Sequence, residues 1–322
     1  MVSRRAAFWL TREFIGLAIG ALLLVLWAGI ARSDKPLAFW LVQSLNSLSL
    51  GGLLFLLSAG FSLIFGLMRI ANLSHGAYFM LGAYIGLSAL RAGANFAVAM
   101  LAAGLAIALL GGLVERFVIR RLADNPLGQV LATLGIAFII ADGCLLIWTG
   151  DPQQLATPAF LRGVFVVAGA SFPIYRVAVI GVAIVFAIAL WLLLEKTRIG
   201  AMIRAGVDDM EMARGVGIPV SLLFTTVFCL GSFLAGVGGV LGGPILSVYP
   251  GLDTDMLPLA LVVVILGGVG SLAGAFVGSF IIGFIYTFGQ TLVPDLAYMI
   301  LFLPMILVLA LRPRGLFGRI TA

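Results

Sequence analysis

The sequence predicts an all-α, polytopic membrane protein: one transmembrane domain over residues 1–322, with about ten apolar membrane segments and both termini cytoplasmic. Three observations carry that expectation. The chain is 62% hydrophobic and only 10% charged, with a mean hydropathy of +1.22. Soluble domains carry about 25% charged residues, and no soluble core could hide this much apolar surface. The apolar residues also fall into long runs of membrane-spanning length. Finally, with the N-terminus inside, only Arg32, Lys35, Arg91, Arg162 and Arg176 of the 19 basic residues lie on the outer side. That bias sets orientation. The same placement at the ends of apolar runs, without interleaved aromatics, accounts for the +6 net charge and argues against nucleic acid as a partner.

Taken in order, the first segment is Phe14–Ile30. It is longer than the apolar core of a signal peptide and has no small-residue cleavage site, so it reads as an additional N-terminal helix. Leu41–Phe65, Phe96–Leu113, Leu127–Trp148, Phe172–Leu194, Val220–Gly243, Ala273–Leu292 and Ala297–Leu311 follow as spans. Ala77–Leu90 and Leu257–Leu266 are short against the roughly 20 residues of a full span. They read as broken or re-entrant elements, which need protein rather than lipid around them. The 41 glycines cluster in runs such as 231–243 and 267–283, where small residues at three- and four-residue spacing let helices approach closely. A phosphate-binding loop is excluded, because neither Lys35 nor Lys196 follows a glycine. Cys144 and Cys229 sit inside apolar runs without metal-ligand spacing and read as small core residues.

One stretch breaks the pattern. Residues 195–219, EKTRIGAMIRAGVDDMEMARGVGIP, form a charged island between two spans. Apolar or small residues recur there at close to helical spacing, through Ile199, Met202, Ile203, Val207, Met210 and Ala213. Gly206 is expected to weaken a first helical piece, and Asp208 to cap a second with Glu211 completing a capping box. Gly215 and Gly217 then end it. Such helices either lie in the headgroup layer or dock on a soluble partner. In the docking case Ile199, Met202, Ile203 and Met210 would fill the partner's groove, with Arg204 and Asp209 at the rim.

Chemistry-bearing residues are few. His75 is the single histidine, so no metal cluster and no nucleophile with a base can be assembled; no catalytic residue is expected. The polar candidates for a translocation path are Asn46, Asn72, Ser74, His75 and Asp142. Ser74 is placed to cap the third segment. Asp142 is the one carboxylate well inside a span. It reads either as a hydrogen-bonded structural residue or as the lining of an aqueous path.

Four stretches together resemble a known family: residues 46–86, 124–142, 197–219 and 243–283, joined by RPRGLFGR at 312–319. The chain is similar to the branched-chain amino-acid type of bacterial ABC-importer permease, in particular its first permease subunit. The resemblance implies that 195–219 is the loop that docks on a cytoplasmic ATPase. Gly200, Arg204, Ala205, Asp209, Ala213, Gly217 and Ile218 meet that loop's pattern. It further implies a second permease, ATPase subunits that bind ATP in place of any cofactor on this chain, a periplasmic solute-binding protein, and a place in the inner membrane. Relatives commonly carry N-[FL]-[AS]-H-G-E, whereas Ala77 stands at the last position here. Members carry amino acids, urea, amides or aromatic acids, so the resemblance leaves the cargo open. The alternative is a self-contained, ion-coupled secondary transporter, for which Asp142 alone is thin support.

Overall fold

The computed structural model describes residues 35–167, 169–312 and 315–317; the helix expected at 14–30 lies outside them. Eleven α-helices follow in order: α1 (Leu37–Met68), α2 (His75–Arg91), α3 (Phe96–Val114), α4 (Pro126–Trp148), α5 (Ile174–Lys196), α6 (Arg198–Asp208), α7 (Met210–Gly215), α8 (Val220–Leu246), α9 (Leu252–Gly267), α10 (Leu272–Leu292) and α11 (Ala297–Leu311). Every apolar segment expected within the described range coincides with a helix. Six helices, α1, α3, α4, α5, α8 and α10, are long and apolar enough to cross a membrane. Of the other five, α6 and α7 form the charged island, and three are apolar but shorter, with 17 residues in α2, 16 in α9 and 15 in α11.

A hairpin precedes α5 that the all-α expectation did not include. Val164–Val167 (β1) pairs antiparallel with Ala170–Pro173 (β2), and Gly169 takes φ +84° between them. The β-branched and aromatic run VFVV favours a strand, so the apolar segment begun at Phe172 is strand for its first two residues. Pro173 ends the strand and leads into the helix at Ile174.

The core sits around α1, 89% of whose most apolar window is buried beneath α5, α8 and α10. Close packing there depends on glycine. A Cβ on Gly60 would stand 2.5 Å from the Gly231 carbonyl oxygen, and one on Gly82 would stand 2.5 Å from Gly236 Cα. These contacts set α8 against α1 on one side and α2 on the other, as the small-residue spacing predicted.

The two short helices begin inside the bundle. After α1 the backbone reverses at Arg69, φ 56°, and α2 starts only at His75. The His75 ring meets the Leu57 carbonyl, which lies about 16 Å back along α1 at 1.5 Å per residue. The first turn of α9 packs on the first turn of α2: a Cβ on Gly76 would stand 2.6 Å from the Asp253 carbonyl oxygen. From this junction α2 runs alongside α8, Gly82 facing Gly236 and Gly86 facing Val240, while α9 runs back past α10, Val263 facing Gly278. The bounds expected at 77–90 and 257–266 move outward because the first turns are polar, not apolar.

Candidate functional site

Residues 195–219 form a compact step between α5 and α8. The Thr197 hydroxyl donates to the Leu193 carbonyl, 2.6 Å, and accepts from the Gly200 N–H, 3.1 Å. That single side chain closes α5 and opens α6. Gly200 has no room for a Cβ, which would run into the carbonyls of Leu193 and Leu194. On α6 the buried residues are Gly200, Ile203 and Gly206. Gly206 does not interrupt the helix, which continues to Asp208; it is where α6 seats on Leu67 of α1 and Leu223 of α8. The cap of α7 also differs from expectation. Asp209, not Asp208, accepts from the Met212 N–H at 3.0 Å, so the residue three positions on is Met212 and no capping box forms with Glu211. At the far end the Ile218 N–H bonds the Ala213 carbonyl and the Gly217 N–H bonds Arg214, with Gly217 at φ +85°, a Schellman stop.

This geometry sorts the candidate docking residues into two sets. Ile203 is 3% exposed and faces the chain's own bundle, while Met202 and Met210 pack partly against it. Apolar side chains seek cover, and here α1 and α8 supply it. The apolar groups left facing outward are Ile199, Met212 and Val216, the last two 64% and 69% exposed. Asp209 lies on the same outer side. Arg204 pairs with Glu195 at 3.6 Å, both about one-third or more exposed, a contact of little energetic weight. Gly200, Ala205, Ala213 and Gly217 shape the step. A cavity of about 730 Å³ opens beside it, between α1, α5, α6 and the turn before α10.

The polar path candidates do not gather in one place. Asn72, Ser74 and His75 do, at the start of α2. Asn72 Oδ1 accepts from the Ser74 N–H at 3.1 Å and from the Ser74 hydroxyl at 2.6 Å. Ser74 therefore donates backward instead of capping the helix, the correction to its expected role. The Leu73 N–H is held by the Thr133 hydroxyl of α4. His75 is fully buried, its Nε2 on the Leu57 carbonyl at 3.0 Å and its ring edge-on to Phe61. Among the described residues the buried Asn72 Nδ2 and His75 Nδ1 have no hydrogen-bond partner. Ala77 is buried in the same turn.

Asn46 lies near the opposite end of α1. It donates to Gln43 and accepts from Arg176 of α5, 2.6 Å, while Gln43 bonds Thr291 of α10. Asp142 is elsewhere again, exposed on the outer face of α4. An aspartate near the centre of a span costs roughly 2.5–3.5 kcal/mol against lipid. Sequence reasoning missed the strongest polar cluster. Glu115, 0% exposed, takes Arg120 on both oxygens and the Thr225 hydroxyl of α8 at 2.8 Å. The signal was a glutamate and an arginine five residues apart, a spacing that reaches one site because the helix loosens into a π turn over Glu115–Ile119.

The family model described as branched-chain amino acid transport system, permease component, matches residues 43–309. The high-affinity branched-chain amino acid transport system permease protein BraD of Pseudomonas aeruginosa is 28% identical over 276 residues, 80% of this chain and 89% of its own length. The corresponding protein LivH of Escherichia coli K12 is 26% identical over 278 residues, with the same coverage. The fructose import permease protein FruF of Bifidobacterium longum matches less of the chain, 28% over 184 residues. No solved structure matches significantly.

Proposed function

The chain belongs to the family of permease components of branched-chain amino acid transport systems, and from that premise we propose how it works as one subunit of an ATP-driven importer. It supplies the membrane pathway; ATP is bound and hydrolysed on separate cytoplasmic subunits that dock on residues 195–219. A second permease completes the membrane unit, and a periplasmic binding protein delivers the solute, a branched-chain amino acid or a related small polar organic molecule. The chain sits in the bacterial inner membrane with ten apolar segments and both termini in the cytoplasm, as the basic residues favour.

The observation that carries this reading is the α6–α7 step. It stands outside the spans, is capped at both ends, is anchored through Ile203 and Gly206, and turns Ile199, Met212 and Val216 outward. A lipid-surface helix would need only a buried face toward the acyl chains. This one already covers its inner face with protein, so its outer apolar groups are free for an ATPase. Closure of the ATPases on nucleotide would then push a rigid step against the ends of α1 and α8, and packed helices would shift between two arrangements. The path residues proposed are Asn72, Ser74 and His75, where helical backbone is interrupted inside the bundle, as in transporters with midplane sites. Asn46 and Asp142 are the outlying candidates.

Met212→Glu tests the docking assignment, since Met212 is 64% exposed and not part of the buried core. We expect normal membrane abundance and a loss of ATPase binding of about ten- to a hundredfold, the effect of removing an apolar anchor and burying a charge. ATPase binding at wild-type strength would make the step a lipid-facing element.

A further inference from the structure

The structure assigns the outer face of α4 to the second permease: we propose that a membrane helix of that non-identical subunit packs there and brings a basic side chain to Asp142. This rests on the two-permease reading above and adds which face is used and what chemistry meets it.

The outward faces of the bundle differ in one respect. On α3 the exposed large apolar side chains are Val98, Leu101, Leu105, Leu109 and Leu113, and on α11 they are Met299, Leu303, Ile306 and Leu309. Both are surfaces suited to acyl chains. On α4 the exposed residues Leu131, Phe138, Ile139, Leu145 and Leu146 surround Asp142, which is itself exposed. It lies six residues before the end of α4 at Trp148, about 9 Å along the axis, too far for a short side chain to reach the interface. Among the described residues it is the one carboxylate exposed in the interior of a candidate span; Arg116, also exposed and six residues before the end of the span Phe96–Leu122, has a long side chain that reaches toward the interface. The buried face of the helix, Gln129, Thr133, Ala137 and Cys144, lies on the side away from Asp142 at 3.6 residues per turn, so the carboxyl group points away from the bundle. Glu115 shows the alternative: the carboxylate this chain does bury within itself is given an arginine and a threonine.

Intramembrane carboxyl groups pair with another polar group, so the occupant must carry one. A second copy of this chain fits poorly. Packed about a two-fold axis, two copies would bring one Asp142 against the other. A partner of different sequence can place a lysine, arginine or histidine there instead. Helix approach is open: a Cβ on Gly135, two turns before Asp142, or on Gly143 would meet nothing within 4 Å.

The test uses the chain co-expressed with its second permease and ATPase subunits. A photo-crosslinking p-benzoylphenylalanine is placed at Phe138 and, as a matched probe of a wholly apolar face, at Leu105. We expect an adduct with the second permease from position 138 and none from 105. Asp142→Leu should leave the abundance and melting of this chain alone unchanged while reducing retention of the second permease about tenfold, the worth of one intramembrane polar pair. Asp142→Lys should reduce it further. An adduct from 138 with a second copy of this chain, or with lipid only, overturns the proposal, as does full retention of the second permease by Asp142→Lys. If that subunit and the ATPase fail to assemble with the unaltered chain, the permease reading falls as well.

Discussion

Two acidic side chains on neighbouring helices, Glu115 and Asp142, meet opposite environments, and the contrast yields the sharpest residue-scale expectations. Glu115 is fully buried and satisfied on both oxygens by Arg120 and Thr225, joining the end of α3 to α8. Removing Arg120 strands that carboxylate. Arg120→Ala should therefore destabilise the folded permease by an amount toward the lower end of the roughly 3–5 kcal/mol typical of a broken buried pair, because the Arg120 side chain is 34% exposed. Glu115→Gln keeps one acceptor oxygen for Arg120, loses the acceptor that took the second Arg120 bond and the Thr225 hydroxyl, and leaves no stranded carboxylate, so it should cost less than Arg120→Ala; thermal unfolding in detergent measures both. At the junction, His75→Ala removes a ring that bonds the Leu57 carbonyl. Uptake per assembled complex should fall more than membrane abundance does. Equal losses would make His75 a packing residue only.

At the scale of elements, the α6–α7 step separates anchoring from display. Ile203→Glu puts a charge at a position 3% exposed within the chain's own bundle and should lower the abundance of the permease itself, whereas Met212→Glu should not; quantitative blotting of membranes distinguishes them. This division was only partly legible in the sequence. Helical spacing gave the amphipathic face of 198–208, but not what covers it, and so Ile203 was expected to face a partner. Asp208 and Asp209 fit cap chemistry equally well; packing of Gly206 on α1 and α8 sets the helix phase and selects Asp209. Gly206 itself looks like a breaker in one dimension and is a seat in three. The long apolar helices were readable from hydropathy alone, because a span must satisfy its own backbone. The hairpin at 164–173 was not, since four-residue strands leave almost no periodic signal.

The whole molecule is a central helix wrapped by spans, with two short helices whose starts meet inside it and a helical step at one end. Orientation follows from charge: the step should lie in the cytoplasm and the hairpin region outside. Single cysteines at Met212 and Phe160, 64% and 83% exposed, should label with impermeant reagent from opposite sides of the membrane; labelling of both from outside would reverse the mechanism. The measurement that bears most directly on the account is solute uptake into vesicles holding this chain with its second permease and ATPase subunits, with the binding protein supplied outside. Accumulation should require ATP within the vesicle and should be lost with Met212→Glu while solute binding by the external protein is unchanged. Uptake by this chain alone, without ATP or partners and driven by an ion gradient, would contradict it.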